Sequence, residues 1–539
     1  MDSPLRRTRR TGLRARGLIA GIAGLVAISG LLLAAPGARV SGAVRATRIA
    51  MSAPQTIDPA KAGDAGSAAV IAQLFEGLTA IDASLTPRPA LAASWTFSDG
   101  NRTVAFTLRD GLTFSDGTPL TGADVVRSWL RVVDPANPSP LASLLFDVVG
   151  VEDYVAGRSS DPSALGFSAD ANTVTVHFTH PAGDFPAVAA SPTLAVVPPG
   201  VGRDPAALQP GASFVASGGY VLAGLSPTQF TLTANPHYWA GPPAISDIEV
   251  VTDLGSSSPA DLFLAGNLDW TPIGSYDASW IAYDGALGPQ LRSSADLAVT
   301  YYGFDTTRPP FSDVRVRQAF AEAVDWKRIV QLADGSQALP ATSIVPPGIP
   351  GRSETDFQPT FDPAAAKRLL AAAGYADPAT FPTVTLATAG TGYDDAVVAQ
   401  LKQNLGVSVS YETYDFTTFM QRLGAADGPQ FWALSWVADY PSPYDFLGLL
   451  LGSNQPNNYG RWSNAAFDAA LASASSTTDV AAARAAYDQA QAVVRDEVPV
   501  VPVSHSSSDA LSRAGLLGAT MNGMGILRFA GLAWAPGTP

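Results

Sequence analysis

The chain has 539 residues, a length that suggests about two to four domains, and with 47% hydrophobic and 15% charged residues it can fill several large cores. A net charge of −14 argues against nucleic acid or an anionic membrane as partner. The absence of cysteine excludes disulfides, thiolate metal sites and a cysteine nucleophile.

The chain opens on a basic segment with Arg6, Arg7, Arg9, Arg10, Arg14 and Arg16, followed by an uncharged apolar stretch over residues 18–35 and then small residues. This is the pattern of an export signal, with Ala38 or Ala43 last before cleavage. Residues 8–13 weakly resemble a twin-arginine signal. The apolar stretch is near the lower length limit for a membrane span, which keeps an uncleaved anchor open. Residues 1–43 are therefore assigned to a signal peptide or N-terminal anchor, and everything after them to the outside of the cytoplasmic membrane. These residues carry seven Arg and one Asp, a surplus of six positive charges, so the remainder carries −20.

Val44 to Met51 alternates and predicts an early strand. A polar loop through Ile57, Asp58 and Pro59 precedes a helix over residues 68–78, with Val70, Ile71, Leu74 and Phe75 on one face and an end at Gly77. Residues 95–97 and 104–108 alternate on either side of Asp99-Gly100-Asn101, a hairpin signal. Thr121 precedes an amphipathic helix over residues 123–133. Residues 173–178, 230–232 and 248–251 read as strands, and 260–264 as a short helix before the chain returns at Trp270. A strand over residues 300–305 runs into a helix capped by Ser312 or Asp313. Asp362 caps a further helix, with Pro363 at its first position and Gly374 at its end. Strands at 384–386 and 407–409 follow, and this alternation argues for an α/β lobe with a largely parallel sheet. A helix over about 479–495 and a short strand at 499–503 close the pattern. There is no internal repeat.

One stretch stands apart chemically. The apolar run Phe431-Trp432-Ala433-Leu434 reads as a buried strand and leads into Ser435 to Phe446. Pro441 and Pro443 stop a central strand or helix from continuing, so the chain turns there. Strand ends of this kind are where α/β proteins place ligand-facing groups. One carboxylate, Asp439, set among Trp436, Tyr440 and Tyr444 suits a cationic group on an apolar body. The plain alternative is a core strand ended by a Pro-rich loop that Asp439 caps.

Several blocks in one order carry a family likeness. Leu74-Phe75-Glu76-Gly77-Leu78, Pro89-Ala90-Leu91-Ala92-Ala93-Ser94-Trp95, Leu108-Arg109-Asp110-Gly111 and Phe114-Ser115-Asp116-Gly117-Thr118-Pro119-Leu120-Thr121 resemble the peptide-binding family of extracytoplasmic solute-binding proteins that serve ABC importers, family 5. Asn235-Pro236-His237-Tyr238-Trp239 and residues 300–319 continue the likeness, which covers nearly all of residues 44–539. It implies an α/β fold of two lobes, periplasmic-binding-protein-like of type II, with an additional α+β domain. Lobe I would comprise 44–79, 190–300 and 505–539, the extra domain 80–189 and lobe II 301–504. It also implies a monomer without enzymatic activity, cofactor or metal. Such a protein is periplasmic or held at the outer face of the cytoplasmic membrane, where it captures short peptides in the interlobe cleft and delivers them to an ABC-type permease.

In that family a Trp-x-Ala-Asp block supplies the carboxylate that holds the ligand's α-ammonium, and Trp436-Val437-Ala438-Asp439 matches it residue for residue. The resemblance thus implies Asp439 as anchor, Trp436 as pocket wall, and the backbones of Ser435 and Val437 as strand partners of the peptide. Tyr302, in the longest matching block, joins the ligand-facing candidates. The chain also departs from the pattern. Enteric members carry an Arg where this chain has Ala433, and an acidic residue aligns with Ser67. A ligand-proximal His finds no counterpart between Ala387 and Val397. Arg422 is the substitute considered for the ligand carboxylate. The lipid-modified Cys common in the family is missing.

Other chemistries find little support. His177, His180, His237 and His505 are scattered, and no nucleophile elbow, phosphate loop or calcium loop occurs. An oligosaccharide or another small solute is the rival ligand, with Trp436, Tyr440 and Tyr444 available for stacking. A secreted hydrolase is the rival of a different class, since paired carboxylates can serve glycoside hydrolysis.

Overall fold

A mixed sheet organises the computed structural model, which describes residues 46–537 except 203–207, 209, 212 and 335–337. Strand order runs Val409–Thr413, Val384–Thr388, Phe431–Val437, Ala298–Phe304, Val500–Ser512, Trp270–Ile273, Thr47–Ala50, Asp247–Val251, Gln229–Ala234 and Tyr220–Leu225. Val500–Ser512 joins the two lobes. Its first half pairs with Ala298–Phe304 through Val500, Val501, Pro502 and Ser504. Its second half pairs with Leu291–Ala295 and Trp270–Ile273 through residues 507–512. The short strand expected at 499–503 is therefore 13 residues long, because polar Ser504 to Ser508 still have strand partners on both sides of the crossing.

The expected parallel sheet of the second lobe holds only in part. Val384–Thr388 pairs in parallel with Val409–Thr413 and Phe431–Val437, but Ala298–Phe304 runs antiparallel to both of its neighbours. Alternation along these strands loads both faces of the sheet. Tyr302, Phe304, Phe431 and Ala433 pack with Phe311, Phe320 and Val501 on one face. Tyr301, Trp432 and Leu434 pack with Phe446, Trp462, Phe467 and Tyr487 on the other. Phe304 stacks on Phe431 with ring centroids 5.2 Å apart.

The hairpin signal around Asp99-Gly100-Asn101 matures into a separate four-stranded antiparallel sheet of Ala92–Ser98, Thr103–Leu108, Thr173–His177 and Phe167–Ala169. Asp99, Gly100 and Asn101 all have positive φ, the backbone such a turn requires. Gly122–Val132 packs Val125, Trp129 and Val132 against Phe106, Val174, Val176 and Phe185 of this unit.

Buried charges in the quoted blocks tie segments together. Glu76, 1% exposed, pairs with Arg528 at 2.6 Å and accepts a bond from the Tyr238 hydroxyl at 2.6 Å, joining the end of Ala65–Leu74 to the C-terminal segment. Asp58 takes both Nη atoms of Arg131 at 3.0 and 2.7 Å, holding the loop before Ala65–Leu74 to Gly122–Val132. A buried acid of this kind stays because its partner is bidentate or doubly hydrogen-bonded. The expected signal or anchor of residues 1–43 lies outside the described residues, among which no helix is long and apolar enough to cross a membrane.

Candidate functional site

Phe431–Val437 is a strand because its first four residues are buried whichever way they point: Phe431, Trp432 and Ala433 are each 1% exposed and Leu434 6%. Its two neighbours differ in reach. Ala298–Phe304 covers it to the end, with Ala298 opposite Val437. Val384–Thr388 stops at Ala433. Residues 435–437 therefore form an unpaired edge on that side. The Ala438 N–H turns back to the Leu297 carbonyl at 2.8 Å, so alternation directs the backbone groups of Ser435 and Val437 toward the open side. An exposed edge accepts an extended segment as an added strand. Val437 is 62% exposed, Ser435 is exposed, and the Ser435 hydroxyl meets that of Thr300 at 2.9 Å.

Beyond the edge the prolines act differently from the expectation. Pro443 starts a helix instead of prolonging a loop: Ser442 caps Pro443–Leu451, its hydroxyl accepting from the Tyr444 N–H at 3.1 Å, and proline sits where no N–H is needed. The cap is thus Ser442 and not Asp439. Asp445, in the first turn, is fully buried. Its carboxylate accepts from Trp436 Nε1 at 2.8 Å and from the Asp439 backbone N–H at 3.2 Å. Tyr440 is 5% exposed and belongs to the core of the four-stranded unit.

Asp439 is left half-buried at this turn, and its carboxylate has no hydrogen-bond or ion-pair partner among the described residues. Burial pushes it up to about 6. Burial pushes Asp445 well above the carboxylate range, and the nearby Asp439 charge adds to the effect. A desolvated carboxylate without a cation is poised to take one.

The structure brings Asp439, Trp436, Val437 and Ser435 together and places the other candidates elsewhere. Tyr302 is a core residue. It is cross-strand to Ala433, on the sheet face away from Trp436, and its hydroxyl donates to Asp394 at 2.6 Å. Its ring is fully buried and its hydroxyl is taken up by Asp394. The Ser67 hydroxyl, in the first turn of Ala65–Leu74, is taken up by the preceding loop, accepting from the N–H groups of Gln55 and Thr56 at 3.0 and 3.1 Å, and the residue is fully buried. Its neighbours Ala65 and Gly66 do line a cavity of about 290 Å³, with Met51, Trp270, Asp509 and Met521. Arg422 lies in a different cavity of about 440 Å³, its guanidinium 4.6 Å from the Tyr414 ring centroid, and shares no lining residue with the Asp439 turn. Asp445 and the residues lining the cavity beside Ser67 escaped the sequence reading. Ser442-Pro443 was a usable signal for Asp445, since Ser before Pro marks a helix start. The cavity residues come from distant segments and leave no local signal.

Known proteins resemble this chain in sequence and in fold. Residues 86–458 match the model of the bacterial extracellular solute-binding proteins, family 5 Middle. The chain is 33% identical to the probable deoxycholate-binding periplasmic protein YgiS of Escherichia coli K12, covering 84% of this chain and 86% of that one. It is 30% identical to the periplasmic murein peptide-binding protein MppA of the same organism, covering 87% and 89%. Identity to the periplasmic oligopeptide-binding protein OppA of Salmonella typhimurium is 30%, covering 83% and 84%. Among solved structures, the unliganded open form of MppA superposes with a TM-score of 0.79 at 28% identity, covering 91% of this chain and 97% of that one. Another structure of MppA from Escherichia coli gives 0.70 at the same identity, covering 91% and 98%.

Proposed function

The chain belongs to the bacterial extracellular solute-binding proteins of family 5, and from that premise we propose that it captures short peptides by their α-ammonium at Asp439 and delivers them to an ABC-type permease in the cytoplasmic membrane. The observation that carries this reading is the unpartnered Asp439 carboxylate at the end of an unpaired strand edge. The edge reads the peptide backbone at Ser435 and Val437, Trp436 walls the first side chain, and Asp439 fixes the head group. Relatives named for murein peptides and oligopeptides support the ligand class.

The relative named for deoxycholate raises a second ligand class. A bile acid is an anion, and a half-buried carboxylate without a counter-ion repels it, so the turn favours an ammonium. The sugar reading loses one of its stacking residues, since Tyr440 is a core side chain. In this proposal the protein is a monomer without catalytic activity, acting outside the cytoplasmic membrane, and Arg422 is the candidate receiver of the ligand carboxylate. The division into lobe I (44–79, 190–300, 505–539), extra domain (80–189) and lobe II (301–504) belongs to the same proposal, supported in outline by the hydrophobic clusters, while Ala60, Leu78, Leu194 and Val196 pack with the extra domain and Leu85, Leu297 and Val299 with lobe II. Closing the lobes over the peptide supplies contacts that exist only in the closed state.

Native mass spectrometry of the purified protein tests the ligand class. A series of bound masses matching peptides of two to about five residues is expected. A hexose ladder or a single steroid mass overturns the proposal.

A further inference from the structure

The peptide reading uses Asp439 alone, yet the turn holds two carboxyl groups. Asp445 is fully buried and has no cationic partner among the described residues. Its two oxygens are engaged from two directions, by the Trp436 indole N–H at 2.8 Å and by the Asp439 backbone N–H at 3.2 Å. The same carboxyl therefore fixes the pocket wall and the anchor residue to the start of Pro443–Leu451.

We propose that Asp439 and Asp445 hold one proton between them while the site is empty, and that an arriving ligand ammonium displaces it into solvent. The inference rests on the peptide reading above and deepens it. Two carboxylates in one water-poor turn do not both ionise readily, because each is desolvated and each repels the other. They titrate as a pair, with a proton that belongs to neither residue alone. The exchange balances: one positive charge leaves as the proton, one arrives as the ammonium, and no covalent bond other than the O–H is broken. The half-buried position of Asp439 gives the proton its way out. The site thus selects a cationic head group, since a peptide with a blocked amine cannot replace the proton.

The surroundings leave this pair as the group that responds to the ligand. Tyr440 and Tyr444 on the same turn are pushed above the ordinary phenol range by burial and stay neutral. Across Tyr440, the four-stranded unit presents Asp147 and Asp184. Asp147 is paired with His180 at 2.8 Å, and that bond lifts the imidazole to about 9, so the ion pair persists through neutral pH. From the far side Asp468 acts on Tyr444. Burial pushes Asp184 up to about 6, which makes it the group to control for. Among the described residues, no Lys or Arg is hydrogen-bonded or ion-paired to either member of the pair.

Calorimetry with the tightest-binding member of the alanine series from two to five residues, in buffers of different ionisation enthalpy at about pH 7.5, above the value of about 6 that burial by itself gives Asp439, counts the proton that the pair shares. Release of about half to one proton per peptide is expected from the wild type. Asp445→Asn is expected to retain binding within about tenfold while losing most of the release, and Asp184→Asn to keep the wild-type release. Binding by no member of the series overturns the peptide reading itself. Binding without proton release in the wild type, or unchanged release in Asp445→Asn, overturns the shared proton and leaves the peptide reading standing. If Asp445→Asn does not fold, the wild-type count with the Asp184→Asn control decides.

Discussion

A carboxylate placed as Asp439 is makes the empty protein less stable at neutral pH than in mild acid. Its folded value of about 6 lies above the roughly 3.9 of an unfolded Asp, so between about pH 4 and pH 6 the native state binds more protons than the unfolded chain. Stability therefore falls as pH rises through that window, by an amount on the order of 1–3 kcal/mol. Asp439→Asn removes the ionisation and is expected to melt at or above the wild type at pH 7, with a flatter profile from pH 4 to pH 6. Peptide affinity moves the other way. A charge-assisted bond to an ammonium is worth about 1.5–3 kcal/mol net, so the same variant is expected to bind peptide at least about tenfold more weakly. Thermal melts and calorimetry on one preparation check both signs, and an unchanged affinity removes Asp439 from the site. Asp439 was legible in the sequence through its block, Trp436-Val437-Ala438-Asp439. Its lack of a partner was not, because that depends on what Asp445 and Tyr440 do three-dimensionally.

The helix Pro443–Leu451 is the element that aims the site, and its one interior glycine shows how packing overrides propensity. In isolation Gly→Ala within a helix gains about 1 kcal/mol. A Cβ on Gly448 would meet the Tyr444 ring at 2.6 Å, from above its face. Overfilling of this kind costs about 1–3 kcal/mol. Gly448→Ala is therefore expected to lower stability by about 1–2 kcal/mol in urea unfolding, against the propensity scale. A gain would mean that the ring moves aside freely. Element boundaries elsewhere show the same division. Asp313 and Asp362 accept the N–H bonds expected of caps. Phe431-Trp432-Ala433-Leu434 is the buried strand its composition implied. Pro443 was taken as a breaker, because proline ends one element and begins another with the same residue. Only the Ser442 hydroxyl on the Tyr444 N–H tells the two apart.

At the scale of the whole molecule, Val500–Ser512 decides how the lobes can move. It is hydrogen-bonded into both halves of the sheet, so closure, on the proposal above, is expected to be absorbed near residues 504–508, where the Asp296 N–H meets the Ser506 carbonyl at 3.0 Å. Small-angle scattering is expected to show a smaller radius of gyration when a binding peptide of the alanine series is added, and no change with its N-acetylated form. Equal contraction with both would separate closure from capture of the ammonium.

The residue pattern determined on its own the family, the α/β character, the order of most elements and the Trp-x-Ala-Asp block, because these depend on local periodicity, caps and ordered motifs. It did not determine the sheet's mixed direction, the burial of Tyr302 and Ser67, or the pairing of Asp439 with Asp445. Those follow from strand parity, from where the partner strand Val384–Thr388 stops and from which groups the packed chain leaves desolvated, and such quantities exist only once distant segments meet.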